Sequence, residues 1–209
     1  MITVWAVKIG VVLGMILTSC AYLIYIERKL AAYMQDRIGP NRVGPFGLLQ
    51  PLADGIKFLL KEDVVPRHCD RFLFYMAPSL AIMTTMLAFA VVPFGPTSTD
   101  PDEWQFVIAP GVDVGMVFIF AVGSLAVYSI ILGGWASNNK YSMLGALRSS
   151  AQVISYEIPL GTSILGVVLL AGSLNLEDII QFQASNGFLH WNLWTQPLAA
   201  LIFATSALA

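Results

Sequence analysis

Four stretches of this chain run for more than 18 residues with almost no charge, and a chain built this way is confined to folds that place them in lipid. They cover about 4–26, 72–94, 114–135 and 151–174. The second and third hold no charged residue, the first holds Lys8 within its opening turns, and the fourth holds Glu157. Each is long enough to cross a hydrocarbon core, which takes roughly 20 residues. Lys8 lies near enough to the end to reach the interface. Composition agrees. Charged residues make up 11% of the chain against about 25% in a soluble domain, and hydrophobic residues make up 57%. This excludes a disordered chain, a nucleic-acid binder and an ordinary soluble enzyme. The expected fold is an all-α integral membrane protein: one multi-span helical bundle over 1–209, with a long cytoplasmic loop that contains an amphipathic interfacial helix.

The first span is too long for a signal-peptide core and no small-residue cleavage site follows it, so it is expected to stay in the mature protein. A fifth apolar segment begins near Pro197 and reaches Ala209. It reads as the start of a further span, and the chain reads as cut inside a helix. Cys20 and Cys69 form no metal or disulfide pattern and are expected as free thiols. His68 and His190 have no Cys or His set beside them and are not read as ligands.

Ten of the eleven basic residues lie in two of the four loops. Loop 27–71 holds Arg28, Lys29, Arg37, Arg42, Lys57, Lys61, Arg67 and Arg71, and loop 136–150 holds Lys140 and Arg148. Loops 95–113 and 175–196 hold none, and carry Asp100, Asp102, Glu103, Asp113, Glu177 and Asp178 instead. The positive-inside rule therefore puts 27–71 and 136–150 in the cytoplasm and the N-terminus outside. Asp113, at the outer edge of the third span, reads as a helix cap rather than part of an ion exit.

Loop 27–71 is too long for a plain connector. Its first part, Asp36-Arg37-Ile38-Gly39-Pro40-Asn41-Arg42-Val43-Gly44-Pro45, holds two Gly-Pro pairs that set turns and prevent a continuous helix. It is either a solvated basic linker or, as the paired turns favour, a rigid loop that docks on a partner. Its second part, about 51–61, reads as an amphipathic helix opened by Pro51. Leu52, Ile56, Leu59 and Leu60 fall on one face, and Asp54, Lys57 and Lys61 on the other. Such a helix lies in the interface, as a surface anchor or as the roof of a cavity for an amphipathic ligand. Glu27, Arg28 and Lys29 end the first span, and interfacial anchoring accounts for them as well as function does.

Glu157 is the most telling single residue. It sits about two turns inside the fourth span, and the 19 residues after it carry no charge. A carboxylate at that depth costs at least about 2.5 kcal/mol unless it is paired, hydrated or protonated. It is either a hydrogen-bonded link between helices or a station on a proton or ion path. Pro159 follows closely and is expected to break the helix there, opening a cavity. No Gly-rich nucleotide motif, flavin fingerprint or iron–sulfur cysteine cluster is present, so any electron carriers lie on other chains.

Three stretches together resemble one family. They are Glu27-Arg28-Lys29 with Gln35 through Pro45; Ala53-Asp54-Gly55-Ile56-Lys57 with Lys61-Glu62-Asp63; and Gly134-Trp135-Ala136-Ser137-Asn138-Asn139-Lys140-Tyr141-Ser142 through Arg148 to Ser155-Tyr156-Glu157. In this order and spacing they are similar to the H subunits of the proton-pumping NADH–quinone oxidoreductases, respiratory complex I. The match runs over about 27–174, and the family is normally longer. The resemblance implies a membrane subunit that joins the hydrophilic electron-transfer arm to the membrane arm and frames the quinone entry and chamber. It would bind no cofactor of its own. Quinone would be the substrate, with NADH, flavin and iron–sulfur clusters on partner subunits.

By the same resemblance Arg28, Arg37 and Asp54 line or support the chamber, with Glu27 and Lys57 at its entry. Asp36, Arg42, Lys61, Glu62, Asp63, Asn138, Asn139, Lys140 and Arg148 face the hydrophilic arm. Glu157 begins a row of buried charges that leads to the antiporter-like subunits. Partners would be the hydrophilic quinone-site subunits and the small and antiporter-like membrane subunits. The location would be a bacterial inner membrane or an organelle equivalent. Two alternatives stand beside this: the related membrane component of a membrane-bound hydrogenase or formate-oxidising complex, and a stand-alone ion transporter. The first keeps the fold without quinone. The second is permitted by Glu157 but disfavoured by the large basic loop and the lack of an internal repeat.

Overall fold

The computed structural model describes residues 2–95, 107–185, 187 and 191–208. Asp100, Asp102, Glu103 and His190 lie outside them. Helix is the only regular secondary structure among the described residues. The chain divides into two compact units, Met1–Val64 and Val65–Ala209.

The first unit holds α1 (Ile2–Met34) and α2 (Gln50–Leu60), joined by a loop with a short 3₁₀ turn, Pro45–Gly47. At 33 residues, α1 is about 50 Å long. That exceeds a hydrocarbon core of roughly 30 Å. The helix thus continues past the charged residues that end the expected span near residue 26. Glu27-Arg28-Lys29 end an apolar run, but Leu30, Ala31 and Ala32 are strong helix formers and carry the helix two turns further. It stops in a Schellman motif. The Arg37 N–H donates to the Ala32 carbonyl at 3.0 Å and the Asp36 N–H to Tyr33 at 3.2 Å, with Asp36 in the left-handed region at φ 49°.

The second unit holds α3 (Arg71–Ala88), α4 (Gly115–Ala136), α5 (Lys140–Ala171), α6 (Leu176–Ser185), α7 (Asn192–Thr195) and α8 (Pro197–Leu208). Helix α4 packs between α3 and α5, and α8 packs on α5. Asp70 starts α3 by accepting from the Phe72 and Leu73 N–H groups, and Asn139 starts α5 by accepting from Tyr141 at 2.9 Å. Helix α5 thus begins at Lys140, about ten residues before the apolar run, and most of the expected loop 136–150 is helical. The polar segment there has good helix formers and a proper cap, which hydropathy alone does not weigh.

Two further expectations are corrected. Helix α5 runs unbroken through Pro159, as α3 does through Pro78. Proline removes one backbone hydrogen bond, which packed neighbours and hydroxyl groups offset inside a membrane bundle. Asp113 is not the cap of α4. Val114 takes that position, with no side-chain cap bond.

Among the described residues four helices are long and apolar enough to cross a membrane, and no more than 17% of any span's most apolar window is buried within the chain. Their apolar surfaces are therefore left uncovered by this chain, as in an integral membrane protein. One close helix contact is made by small residues. A Cβ built on Gly134 of α4 would lie 2.3 Å from the Cβ of Ala146 on α5. Gly134→Ala is expected to cost about 1–3 kcal/mol by overpacking, read as a lowered Tm of the purified protein. An unchanged Tm would mean that the α4–α5 crossing is looser than this contact requires.

Candidate functional site

In the first unit, the charges of α1 and α2 meet. Arg28 Nη1 donates to Asp54 Oδ2 at 2.5 Å. Gln50 Nε2 donates to Asp54 Oδ1 at 3.3 Å, and Lys57 Nζ lies 3.9 Å from the same oxygen. The Asp54 side chain is only 17% exposed, so this carboxylate clamps α2 to α1. Gln50 does not stand out in the sequence, although its i,i+4 spacing to Asp54 is the usual helical one. The Arg28 hydrogen bond holds the Asp54 carboxyl below its ordinary value of 3.8, against a smaller opposing effect of desolvation. A carboxyl lowered on folding stabilises above its unfolded value and loses that contribution as pH falls through the lowered one. Proteolysis at the α1–α2 junction is therefore expected to be flat from about pH 8 to about pH 5 and to rise only below about pH 4. A rise near neutrality would contradict this pairing.

The loop 35–49 folds back on α1. Tyr25 Oη donates to the Phe46 carbonyl at 2.7 Å. Gly39 sits so close that a Cβ there would lie 3.1 Å from Lys29 Cδ and 3.2 Å from Ala32 Cβ. Arg28, Ala32, Arg37, Gly39 and Pro40 line a cavity of about 250 Å³. The loop thus brings Arg37 to Arg28. Glu27 is exposed on α1, and Asp36 and Arg42 are exposed on the loop. Lys61, Glu62 and Asp63 form an exposed extended segment after α2. The apolar side chains of α2 are uncovered, with Leu59 87% and Leu60 81% exposed.

In the second unit, Glu157 is half-buried, and Ser124 of α4 donates to its Oε1 at 2.9 Å. Gly123 leaves room beside it: a Cβ there would lie 3.5 Å from the same oxygen. Gly123, Ser149, Gln152, Tyr156, Glu157 and Ser206 help to line a cavity of about 380 Å³ between α4, α5 and α8. It mixes hydroxyl and amide groups with apolar walls. A carboxylate held here by one hydroxyl retains lone pairs and has open space beside it. Nothing in the spacing of the sequence points to Ser124, because the pairing is made across two helices.

Arg148 lies on the same unbroken helix nine positions earlier, about 13 Å away, and is exposed. Asn138, at φ 48°, donates from Nδ2 to the His68 carbonyl at 3.1 Å, and the Asp70 N–H donates to the Ala136 carbonyl at 3.0 Å. These bonds pin the α4–α5 turn to the start of α3. Asn138, Asn139 and Lys140 remain exposed at its tip, where a cavity of about 300 Å³ opens.

Long apolar helices, a charged clamp at the end of one span and a half-buried carboxylate inside another define the class: a membrane-embedded protein with ionisable groups set into its helices. The comparisons give the family. The family model described as NADH dehydrogenase matches residues 7–209, and the chain belongs to that family. It is 49% identical to the second H subunit of the NADH-quinone oxidoreductases of Geobacter sulfurreducens, over 100% of this chain and 62% of the relative. It is 50% identical to NADH-quinone oxidoreductase subunit 8 of Thermus thermophilus, over 98% and 54%. It is 48% identical to the NADH-quinone oxidoreductase H subunit of Thermomicrobium roseum, over 95% and 60%. The chain thus spans little more than half of the length of these relatives.

Proposed function

We propose that this chain is the part of an NADH–quinone oxidoreductase that frames the quinone entry and chamber, docks the hydrophilic arm and couples quinone reduction to proton translocation. The observation that carries the reading is Glu157, held by Ser124 at 2.9 Å in a cavity of about 380 Å³ within a chain of this family. Electron carriers on partner subunits supply two electrons, and quinone takes up two protons to become quinol. This chain's own residues do the rest. Arg28 and Asp54 hold the amphipathic helix that roofs the entry, with its apolar face turned to lipid. Arg37 shares the Arg28 cavity and offers a second cation to a carbonyl or a passing anionic intermediate. Glu27 and Lys57 flank the entry. The exposed loop residues Asp36 and Arg42, the segment Lys61, Glu62 and Asp63, and the turn Asn138, Asn139 and Lys140 with Arg148 form the cytoplasmic surfaces that take the hydrophilic arm.

Charge changes in a low-dielectric chamber act more strongly than in water. Glu157 answers such a change by gaining or losing a proton, and linked buried charges pass the effect to the antiporter-like subunits. The entry half of the reading is tested by Asp54→Ala in the full-length, assembled complex. Loss of the clamp is expected to raise KM for quinone severalfold while the NADH-oxidising activity toward a water-soluble acceptor stays unchanged. An unchanged quinone KM would remove α2 from the entry.

A further inference from the structure

Ser124 of α4 has a single hydroxyl proton and two oxygens within its reach. Its Oγ lies 3.0 Å from the Phe120 carbonyl oxygen and 2.9 Å from Glu157 Oε1. A hydroxyl donates one hydrogen bond and has lone pairs to accept others. The proton therefore turns to one of these oxygens or to the other. The carbonyl four residues back is the usual resting place for a hydroxyl inside a helix. Thr18, Ser79, Ser150 and Ser155 all donate there, at 2.7–2.8 Å. Ser124 differs in that its second partner is an ionisable group on the neighbouring helix.

The charge on Glu157 decides between the two oxygens. A carboxylate can only accept. It draws the hydroxyl proton, because a hydrogen bond to a charged oxygen is about twice as strong as one to a neutral oxygen. The Phe120 carbonyl is not left unpaired, since a helix also gives it the backbone N–H four residues on. A protonated carboxyl can donate instead. With its proton on Oε1 aimed at Ser124 Oγ, the hydroxyl proton turns back to Phe120. Both states use the same heavy-atom positions, and neither helix has to move.

We infer that Ser124 is a positioning residue for Glu157, holding the carboxyl in place before and after a proton exchange by turning one hydroxyl between Glu157 and the Phe120 carbonyl. The inference rests on the reading of Glu157 as a group that exchanges a proton. Without the hydroxyl, the carboxyl is released toward the cavity beside Gly123, where Ser149 and Ser206 stand.

The test uses the full-length protein in its native assembly, grown with phenylalanine that carries a heavy carbon isotope at its carbonyl. Infrared difference spectra between acidic and alkaline buffer then read the labelled carbonyls. One of them is expected to shift to lower frequency in acid, where Phe120 gains the hydroxyl. The shift should be absent from Ser124→Ala and from Glu157→Gln and present in Ser124→Thr. Ser124 is exposed on α4, so the added methyl of threonine has room. If no such shift is seen, the hydroxyl keeps one partner in both states and the proposal is overturned. Proton translocation is measured beside the spectra. Ser124→Ala is expected to lower it about tenfold, the size of one hydrogen bond to a charged group, and Ser124→Thr to restore it. Normal translocation by Ser124→Ala, where Glu157→Gln has lost it, would also overturn the proposal. If Glu157→Gln itself translocates normally, the coupling role of Glu157 falls, and the infrared shift alone decides whether the hydroxyl turns.

Discussion

Glu157→Gln in the assembled complex is expected to reduce proton translocation by about two orders of magnitude, the size that loss of a positioned proton-transferring group carries. The substitution is chosen for what it preserves. Glutamine keeps an oxygen where Ser124 Oγ donates at 2.9 Å, and it fills the same volume in the cavity. Helix packing and the α4–α5 hydrogen bond should therefore survive, and only the exchangeable proton is lost. The measurement is proton uptake and release in vesicles, set beside a count of assembled complexes. A variant that assembles, reduces quinone and pumps at the normal rate would reduce Glu157 to a hydrogen-bonded link between helices. A variant that assembles with the loss described would place the carboxyl on the coupling path.

Gly47→Ala is expected to release the loop 35–49 from α1. Gly47 has φ +82°, a conformation that costs an L-residue about 1–2 kcal/mol. A Cβ there would also lie 2.3 Å from the Pro40 carbonyl oxygen, which is backbone and cannot step aside. Overpacking of this kind adds about 1–3 kcal/mol. Even a combined loss of about 2 kcal/mol multiplies the open population about thirtyfold. Tryptic cleavage after Arg37 and Arg42 in intact membranes should rise accordingly. Gly55→Ala serves as the control. A Cβ on Gly55 meets nothing within 4 Å, and its place inside α2 favours alanine. Equal cleavage of the two variants would mean that the Gly47 turn does not hold the loop.

Hydropathy locates the spans because four runs lack charge, and a lipid environment tolerates little else. It misplaces their ends for a physical reason: a charge ends the part of a helix that can sit in lipid, not the helix. Helix α1 therefore passes Glu27-Arg28-Lys29 to Met34, and α5 starts at Lys140, well before Ala151. Pro159 misleads in the opposite sense, since the rule that proline breaks helices comes from water, where no packed bundle supports the gap. The stop of α1 is hidden because Asp36 fills the left-handed position where glycine is the usual signal. At the site, Glu157 stands out as a charge in an apolar run and Asp54 as the acid on the polar face of an amphipathic helix. Ser124 and Gln50 do not. Each gains its meaning from a neighbour supplied by the fold.

On the function proposed above, this chain works inside an NADH–quinone oxidoreductase. Its most direct test is to tag the full-length protein in its native membrane, extract it gently and identify what comes with it. Flavin and iron–sulfur subunits are expected with it, together with inhibitor-sensitive NADH–quinone activity. A nickel–iron hydrogenase partner, or no partner at all, would contradict it.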